Sequence, residues 1–110
     1  MAKVILITSD GRAKQIELES PQITVGRSAQ SDIVLQGIQV SRAHALLTSN
    51  QGVFSVRDLD SSNGTFVNGL QVQRHKLRHQ DVIRIGDYEL RFLERDVTAF
   101  SGQALSLAKV

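Results

Sequence analysis

An all-β sandwich is the fold class this sequence predicts, on three observations. Short runs of β-branched and aliphatic residues recur along the chain up to residue 94. Turn signals separate them at intervals of about eight to twelve residues, the spacing of hairpin-built sheets. No amphipathic helical period is found before residue 95. The aliphatic alternation suits two facing sheets, whose inward side chains interdigitate.

The elements follow in order. Val4-Ile5-Leu6-Ile7-Thr8 is a continuous apolar run, Asp10-Gly11 is a turn signal, and Lys14-Gln15-Ile16-Glu17-Leu18 alternates polar with apolar. An opening hairpin is expected there. Pro21 breaks the chain before Ile23-Thr24-Val25-Gly26. Further strands are expected at residues 33–35, 43–48, 53–59, 65–67, 82–85 and 88–93. Asn63-Gly64 and Asn68-Gly69 bound the run Thr65-Phe66-Val67. Both pairs suit type I′ turns, which need positive φ at two successive residues. Residues 1–94 read as one domain. Residues 95–110, with Ala99, Ala104, Leu105, Leu107 and Ala108, read equally as a short helix, a flexible tail or the start of a linker.

The chain has 110 residues, of which 41% are hydrophobic and 22% charged. That is the composition of an ordinary globular domain, not of a disordered, collagenous or coiled-coil chain. Trp is absent, and four Phe and one Tyr are the only aromatics, so the core must be aliphatic. Thirteen basic and eleven acidic residues leave a net charge of +2. This does not demand a nucleic-acid partner. The lack of Cys excludes a disulfide scaffold, a thiolate nucleophile and a Cys-based zinc site. The apolar run Val4 to Ile7 is too short for a signal peptide or a membrane span, so a cytoplasmic location is expected.

Three polar clusters fall between the predicted strands: Gly26-Arg27-Ser28, Val40-Ser41-Arg42-Ala43-His44 and Asp60-Ser61-Ser62-Asn63-Gly64-Thr65. Loops at one end of a sandwich are held by rigid sheets and commonly display binding residues. Arg27 and Arg42 are permanent cations with forked donors. Ser41 and Ser62 add hydroxyls, and the Asn63 amide both donates and accepts. The set is rich in donors and lacks a paired nucleophile and base. It suits an anion with several acceptor oxygens, a phosphate above all. Each residue alone has an ordinary structural explanation, and the case rests on their occurring together.

Gly26-Arg27, then Ser31-Asp32-Ile33-Val34-Leu35, then Val40-Ser41-Arg42-Ala43-His44-Ala45, then the run Asp58 to Gly69 resemble the forkhead-associated (FHA) domain in order and spacing. Leu77 and Asp81-Val82-Ile83-Arg84-Ile85-Gly86 continue the match, which spans about residues 23 to 93. The resemblance implies a sandwich of about eleven strands, with its binding loops at one end, that recognises phosphothreonine on a protein partner in serine/threonine kinase signalling. It implies no catalysis, no cofactor and no metal. By position, Arg27 and Ser41 resemble the family's phosphate-binding arginine and serine. Arg42 sits where a further phosphate-contacting side chain is common. Asn63 resembles the asparagine that bonds the peptide backbone, with Ser62 as an assisting hydroxyl. Gly26, His44 and Gly64 resemble architectural residues, and Asn68 resembles a turn residue with no other role. Gln39, two before Ser41, is a candidate reader of the residue three beyond the phosphothreonine. Gln80 departs from the pattern, which usually has Gly before Asp81, so a different turn shape is expected there. Thr98 is a candidate phosphorylation site that loops back to the pocket.

Other function classes find less support. Val40-Ser41-Arg42 is not a Gly-x-Ser-x-Gly elbow, and no third residue is placed to orient Ser41 and His44 as nucleophile and base. No Walker A loop or paired-carboxylate site is visible. His44, between Ala43 and Ala45, reads as a satisfied core histidine. His75 and His79 are four apart, but Arg74, Lys76 and Arg78 around them repel a divalent cation. The run Arg74 to His79 reads as a basic loop before a strand, too small and too poor in aromatics for nucleic acid. It adds positive potential for acidic or phosphorylated partners. A monomer that engages neither nucleic acid nor membrane is expected. The alternative function is a phospho-independent interaction scaffold using the same loops.

Overall fold

The computed structural model describes residues 2–94, which form two stacked sheets. The strands are β1 (Ala2–Ile7), β2 (Ala13–Glu17), β3 (Gln22–Gly26), β4 (Ile33–Val34), β5 (Ala45–Asn50), β6 (Val53–Asp58), β7 (Thr65–Val67), β8 (Leu70–Val72), β9 (Arg74–Lys76), β10 (Val82–Ile85) and β11 (Tyr88–Glu94). One sheet has the order β2-β1-β11-β10-β7-β8, and the other β4-β3-β5-β6-β9. All pairings are antiparallel except β3 with β4. The domain is all-β, with eleven strands in a sandwich.

Alternation along the strands builds the core. Val4 and Leu6 of β1 lie opposite Phe92 and Leu90 of β11, and all four are buried. From the other sheet, Ile23, Val25, Ala45, Leu47, Phe54 and Val56 face them. Phe54 and Phe92 meet across the sandwich with ring centroids 5.7 Å apart. Each large aliphatic side chain taken fully out of water contributes on the order of 1.5–3 kcal/mol.

The opening hairpin forms as expected around Asp10-Gly11, turning over residues 8–12, where the Thr8 N–H donates to the Arg12 carbonyl at 2.9 Å. Two segments differ from the sequence expectation. Strand β5 starts at Ala45 and not at residue 43, because residues 40–43 leave the ladder to cross over Gly26. The run Arg74 to His79 is not simply a loop. Arg74–Lys76 is strand β9, paired with β6 in the register Arg57↔Arg74, Val56↔His75 and Ser55↔Lys76. Its charged side chains hide the strand from a propensity reading, and the neighbouring strand supplies the pairing.

The topology places the connections that follow β3, β4 and β6 at one end. Gly26, Ala45 and Asp58 lie there because Val25 pairs with Ala45 and Ala45 pairs with Asp58. The β1–β2 and β10–β11 turns share that end, since Ile7 pairs with Glu89 and Ile85 with Tyr88. No helix among the described residues is long and apolar enough to cross a membrane.

Candidate functional site

Gly26 closes β3 where the segment 40–43 passes directly above it. A Cβ at this position would lie 2.0 Å from the Arg42 carbonyl oxygen, so only Gly permits the crossing. The close approach lets the Arg27 N–H donate to the Ser41 carbonyl at 3.0 Å and the Ser28 N–H to the Arg42 carbonyl at 3.2 Å. The Arg27 Nε–H donates to the Val40 carbonyl at 2.9 Å. That bond anchors the guanidinium by its inner nitrogen. Its terminal nitrogens make no other hydrogen bond among the described residues, and the side chain is exposed.

His44 lies beneath this crossing and is fully buried. Its Nδ1 accepts the Ser41 N–H at 3.0 Å, and its Nε2 lies 2.9 Å from the Gly64 carbonyl. An amide only donates and a carbonyl only accepts, so the ring is held as the Nε2–H tautomer. Its backbone N–H donates to Val25, and its carbonyl accepts from Leu59, both at 2.9 Å. The imidazole thus ties the second polar cluster to the third, while the Arg27 and Ser28 N–H groups tie the first to the second.

Asp58 organises the third cluster. It accepts the Ser61 N–H at 3.1 Å, the Ser61 hydroxyl at 2.5 Å and the Thr65 hydroxyl at 2.7 Å. Ser61 Oγ in turn accepts the Gly64 N–H at 2.9 Å. Partial burial pushes the Asp58 carboxyl up, but the bonds from Ser61 and Thr65 outweigh it and hold the group below its ordinary value of 3.8. The loop so formed is not the expected type I′ turn. Gly64 takes φ +91°, but the other left-handed residue is Asp60 at φ +55°, and Asn63 keeps an ordinary backbone. The Asp58–Ser61 bonds bend the chain earlier than a two-residue hairpin turn would.

Two further contacts join the loops at the surface. The Ser62 N–H donates to Ser41 Oγ at 3.0 Å, which leaves the Ser41 hydroxyl hydrogen available. Asn63 Nδ2–H donates to the Gln39 carbonyl at 3.1 Å, which leaves Asn63 Oδ1 as an acceptor. Arg27, Gln39, Ser41, Ser62 and Asn63 therefore stand on one rim, connected through Val40 and Ser41. Arg42, next to Ser41 in the chain, is exposed.

The FHA-domain profile matches residues 23–86. The chain belongs to the FHA-domain family. Over 76 residues it is 43% identical to an oxoglutarate dehydrogenase inhibitor of Corynebacterium efficiens, an overlap covering 69% of this chain and 54% of that protein. The chain spans about half the length of the curated relatives it matches. It is similar to a domain solved in a study of phosphothreonine-dependent FHA-domain interactions, with TM-score 0.77 and 32% identity over 86% of this chain and 98% of that one. It is also similar to Mycobacterium tuberculosis EmbR in complex with a low-affinity phosphopeptide, with TM-score 0.74 and 33% identity over 84% of this chain and 24% of that one.

Other residues singled out from the sequence lie elsewhere in this FHA domain. Asn68 is at the opposite end and does more than turn the chain. Its Nδ2–H donates to Asp81 Oδ1 at 3.0 Å, and its Oδ1 accepts the Val82 N–H at 3.0 Å. No local pattern reveals this, because Asp81 is 13 residues away. Gln80 takes φ +76°, a left-handed conformation natural to Gly, so the departure from the family pattern falls on a strained position. His75 and His79 do not converge. His75 Nε2 is 3.5 Å from Asp81, and His79 Nδ1 accepts the Glu94 N–H at 3.1 Å. Among the described residues no group of three His, Cys, Asp or Glu side chains is placed to hold a metal. Thr98 and the rest of residues 95–110 lie outside the described residues.

Two features of the rim had no counterpart in the sequence reading. Ser61 supplies the bracing described above, and its signal was the spacing Asp58-x-x-Ser61, in which an aspartate caps the N–H three residues on. Beside Gln39 a cleft of about 630 Å³ opens between residues 8–12 and 36–40, lined also by Asp10, Ile38, Asp87 and Tyr88. Ile38 is 97% exposed, a large apolar side chain set in a polar loop. Tyr88 Oη accepts the Gln36 N–H at 3.1 Å and supports the cleft wall.

Proposed function

We propose that this rim binds a phosphothreonine-bearing segment of a partner protein. The domain then serves phosphorylation-dependent assembly in serine/threonine kinase signalling, without catalysis of its own, as a cytoplasmic monomer. One observation carries the reading: three loops are locked together so that the Arg27 guanidinium, the Ser41 and Ser62 hydroxyls and the Asn63 amide oxygen stay open on one rim among the described residues. The protein in the EmbR complex is bound to a phosphopeptide, and the other matched domain was solved in work on phosphothreonine-dependent interactions. Both support the reading. In it, Arg27 and Ser41 hold the phosphate and Arg42 adds charge. Ser62 assists, and Asn63 bonds the peptide backbone. Gly26, His44 and Gly64 set the geometry.

A phosphothreonine carries about −1.5 to −2 charges at neutral pH and three acceptor oxygens. Hydrogen bonds to charged groups contribute roughly 1.5–3 kcal/mol each, so two or three supply about half of the 8.2 kcal/mol of a micromolar complex. Calorimetry with a library-selected phosphothreonine peptide and its unphosphorylated form tests the reading. At least about tenfold weaker binding of the unphosphorylated form is expected, as one lost charge-assisted bond already gives that ratio. Arg27→Ala should abolish the difference in a folded protein, and Arg27→Lys should weaken binding because Lys lacks the fork. Equal affinity for both peptide forms refutes the reading and favours a phospho-independent scaffold. Gln39, on the wall of the 630 Å³ cleft, is the proposed reader of a residue that follows the phosphothreonine. An unchanged library preference for Gln39→Ala removes it from that role.

A further inference from the structure

The outer face of the five-stranded sheet carries three cations with no carboxylate paired to them among the described residues. Asp32 accepts from the Thr24 N–H and hydroxyl at the β3 side, away from β6 and β9. Register places Thr24, Leu46, Arg57 and Arg74 in one row across β3, β5, β6 and β9, and Gln22, Thr48, Ser55 and Lys76 in the next. Neither row contains a carboxylate. Arg57 and Arg74 are direct partners, and Lys76 stands on the same face two residues along. All three are exposed, and none forms an ion pair with a described residue. The outer face of the other sheet is arranged differently. There Lys3 opposes Glu17 and Arg84 opposes Glu89, which also lies 3.7 Å from Arg91.

Like charges directly opposite each other in an antiparallel pair are destabilising. The Arg57–Arg74 pair therefore opposes folding, and no ion pair among the described residues offsets it. Charges on an edge strand discourage edge-to-edge association, which accounts for Arg74 and Lys76 on β9. It does not account for Arg57, because β6 is flanked by β5 and β9.

We propose that this face is a second docking surface. It takes an acidic stretch of the phosphorylated partner that lies outside the phosphothreonine motif, and so rests on the phosphothreonine reading of the rim. The two surfaces are continuous. Arg57 precedes Asp58, whose carboxylate braces the Ser61–Gly64 loop, and the Asp58 N–H donates to the Gln73 carbonyl beside Arg74 at 2.8 Å. Arginine forks match carboxylates bidentately, and the rows contain no aromatic ring on which a nucleic-acid base would stack.

The test uses one phosphothreonine peptide in three forms. One is bare, one carries a Gly-Ser linker and about six Glu, and one carries the same linker and about six Gln. In calorimetry at low salt the Glu form should bind the wild type about three- to tenfold tighter than the Gln form, the scale of a few exposed charge pairs. That gain should vanish in about 0.5 M salt. It should also vanish in the triple variant Arg57→Gln, Arg74→Gln, Lys76→Gln, which should bind the bare peptide as the wild type does. A gain retained in the triple variant assigns it to Arg27 and Arg42 and overturns the proposal. In parallel, an unphosphorylated Glu-rich peptide is titrated at low salt while backbone amides are followed by NMR. Shifts at residues 55–57 and 74–76 are expected. Their absence overturns the second surface whether or not the rim reads phosphothreonine. Tighter binding of duplex DNA or phosphatidylserine vesicles than of the Glu peptide at equal salt also overturns it.

Discussion

Strand β7 is three residues long and has an Asn-Gly pair at each end. The two dipeptides are identical, yet the fold uses them differently. At the far end, Asn68 at φ +52° and Gly69 at φ +86° make the tight turn into β8. The Asn68 side chain is fully engaged there, with Asp81 on its amide nitrogen and Val82 on its oxygen. At the rim, Asp58 and Ser61 make the internal bonds of the loop, so Asn63 keeps only its contact with Gln39. An asparagine becomes available to a ligand when other residues take over the bonding of its turn. In both places an aspartate does the holding. Only at the far end does it hold the asparagine itself.

Substitutions on the two sides of β7 should separate stability from binding. Asn68→Ala removes two side-chain bonds and a residue that tolerates left-handed backbone. A loss of about 2–3 kcal/mol is expected in denaturant unfolding, with phosphopeptide affinity unchanged. Asn63→Ala should do the reverse. Peptide affinity should fall by about 1.5 kcal/mol, near tenfold, with the unfolding midpoint almost unmoved. A large stability loss in Asn63→Ala, or lost affinity in Asn68→Ala, would dissolve the distinction. Gly69→Ala meets open space, so only its positive φ matters, and about 1 kcal/mol of destabilisation is expected.

Acid should act on both ends through the aspartates. For Asp81, as for Asp58, partial burial pushes the carboxyl up. The Arg78 N–H, the Asn68 amide and nearby His75 outweigh it and hold the group below 3.8. A carboxyl lowered in the folded state contributes stability that is complete above its unfolded value. That contribution is lost as pH falls through the folded value. The unfolding free energy should therefore hold steady above about pH 5 and decline below about pH 4. Asp58→Asn and Asp81→Asn should each flatten that decline in a series of urea titrations. Only Asp58→Asn should also weaken peptide binding, because only Asp58 braces the rim.

Most strands were legible because their causes are local. β7 and β10 fall on the expected residues, 65–67 and 82–85, where apolar alternation and flanking turn residues coincide. The rim residues were legible as a set of spaced blocks. β8 and β9 were not, because Leu70–Val72 follows a tight turn and Arg74–Lys76 is mostly charged. β9 is a strand by virtue of Val56 and its neighbours on β6. The different engagement of the two asparagines was invisible for a related reason, since the deciding partner of Asn68 is Asp81.

By itself the sequence determined the all-β architecture, the aliphatic core and the family, because period-two alternation, turn chemistry and motif spacing are written in adjacent residues. Only the tertiary structure decided which asparagine stays open, that the buried His44 imidazole links Ser41 to the carbonyl of Gly64, 20 residues beyond that histidine, and that Arg57 faces Arg74. Those facts depend on strand order and register, which bring together groups that no local window contains.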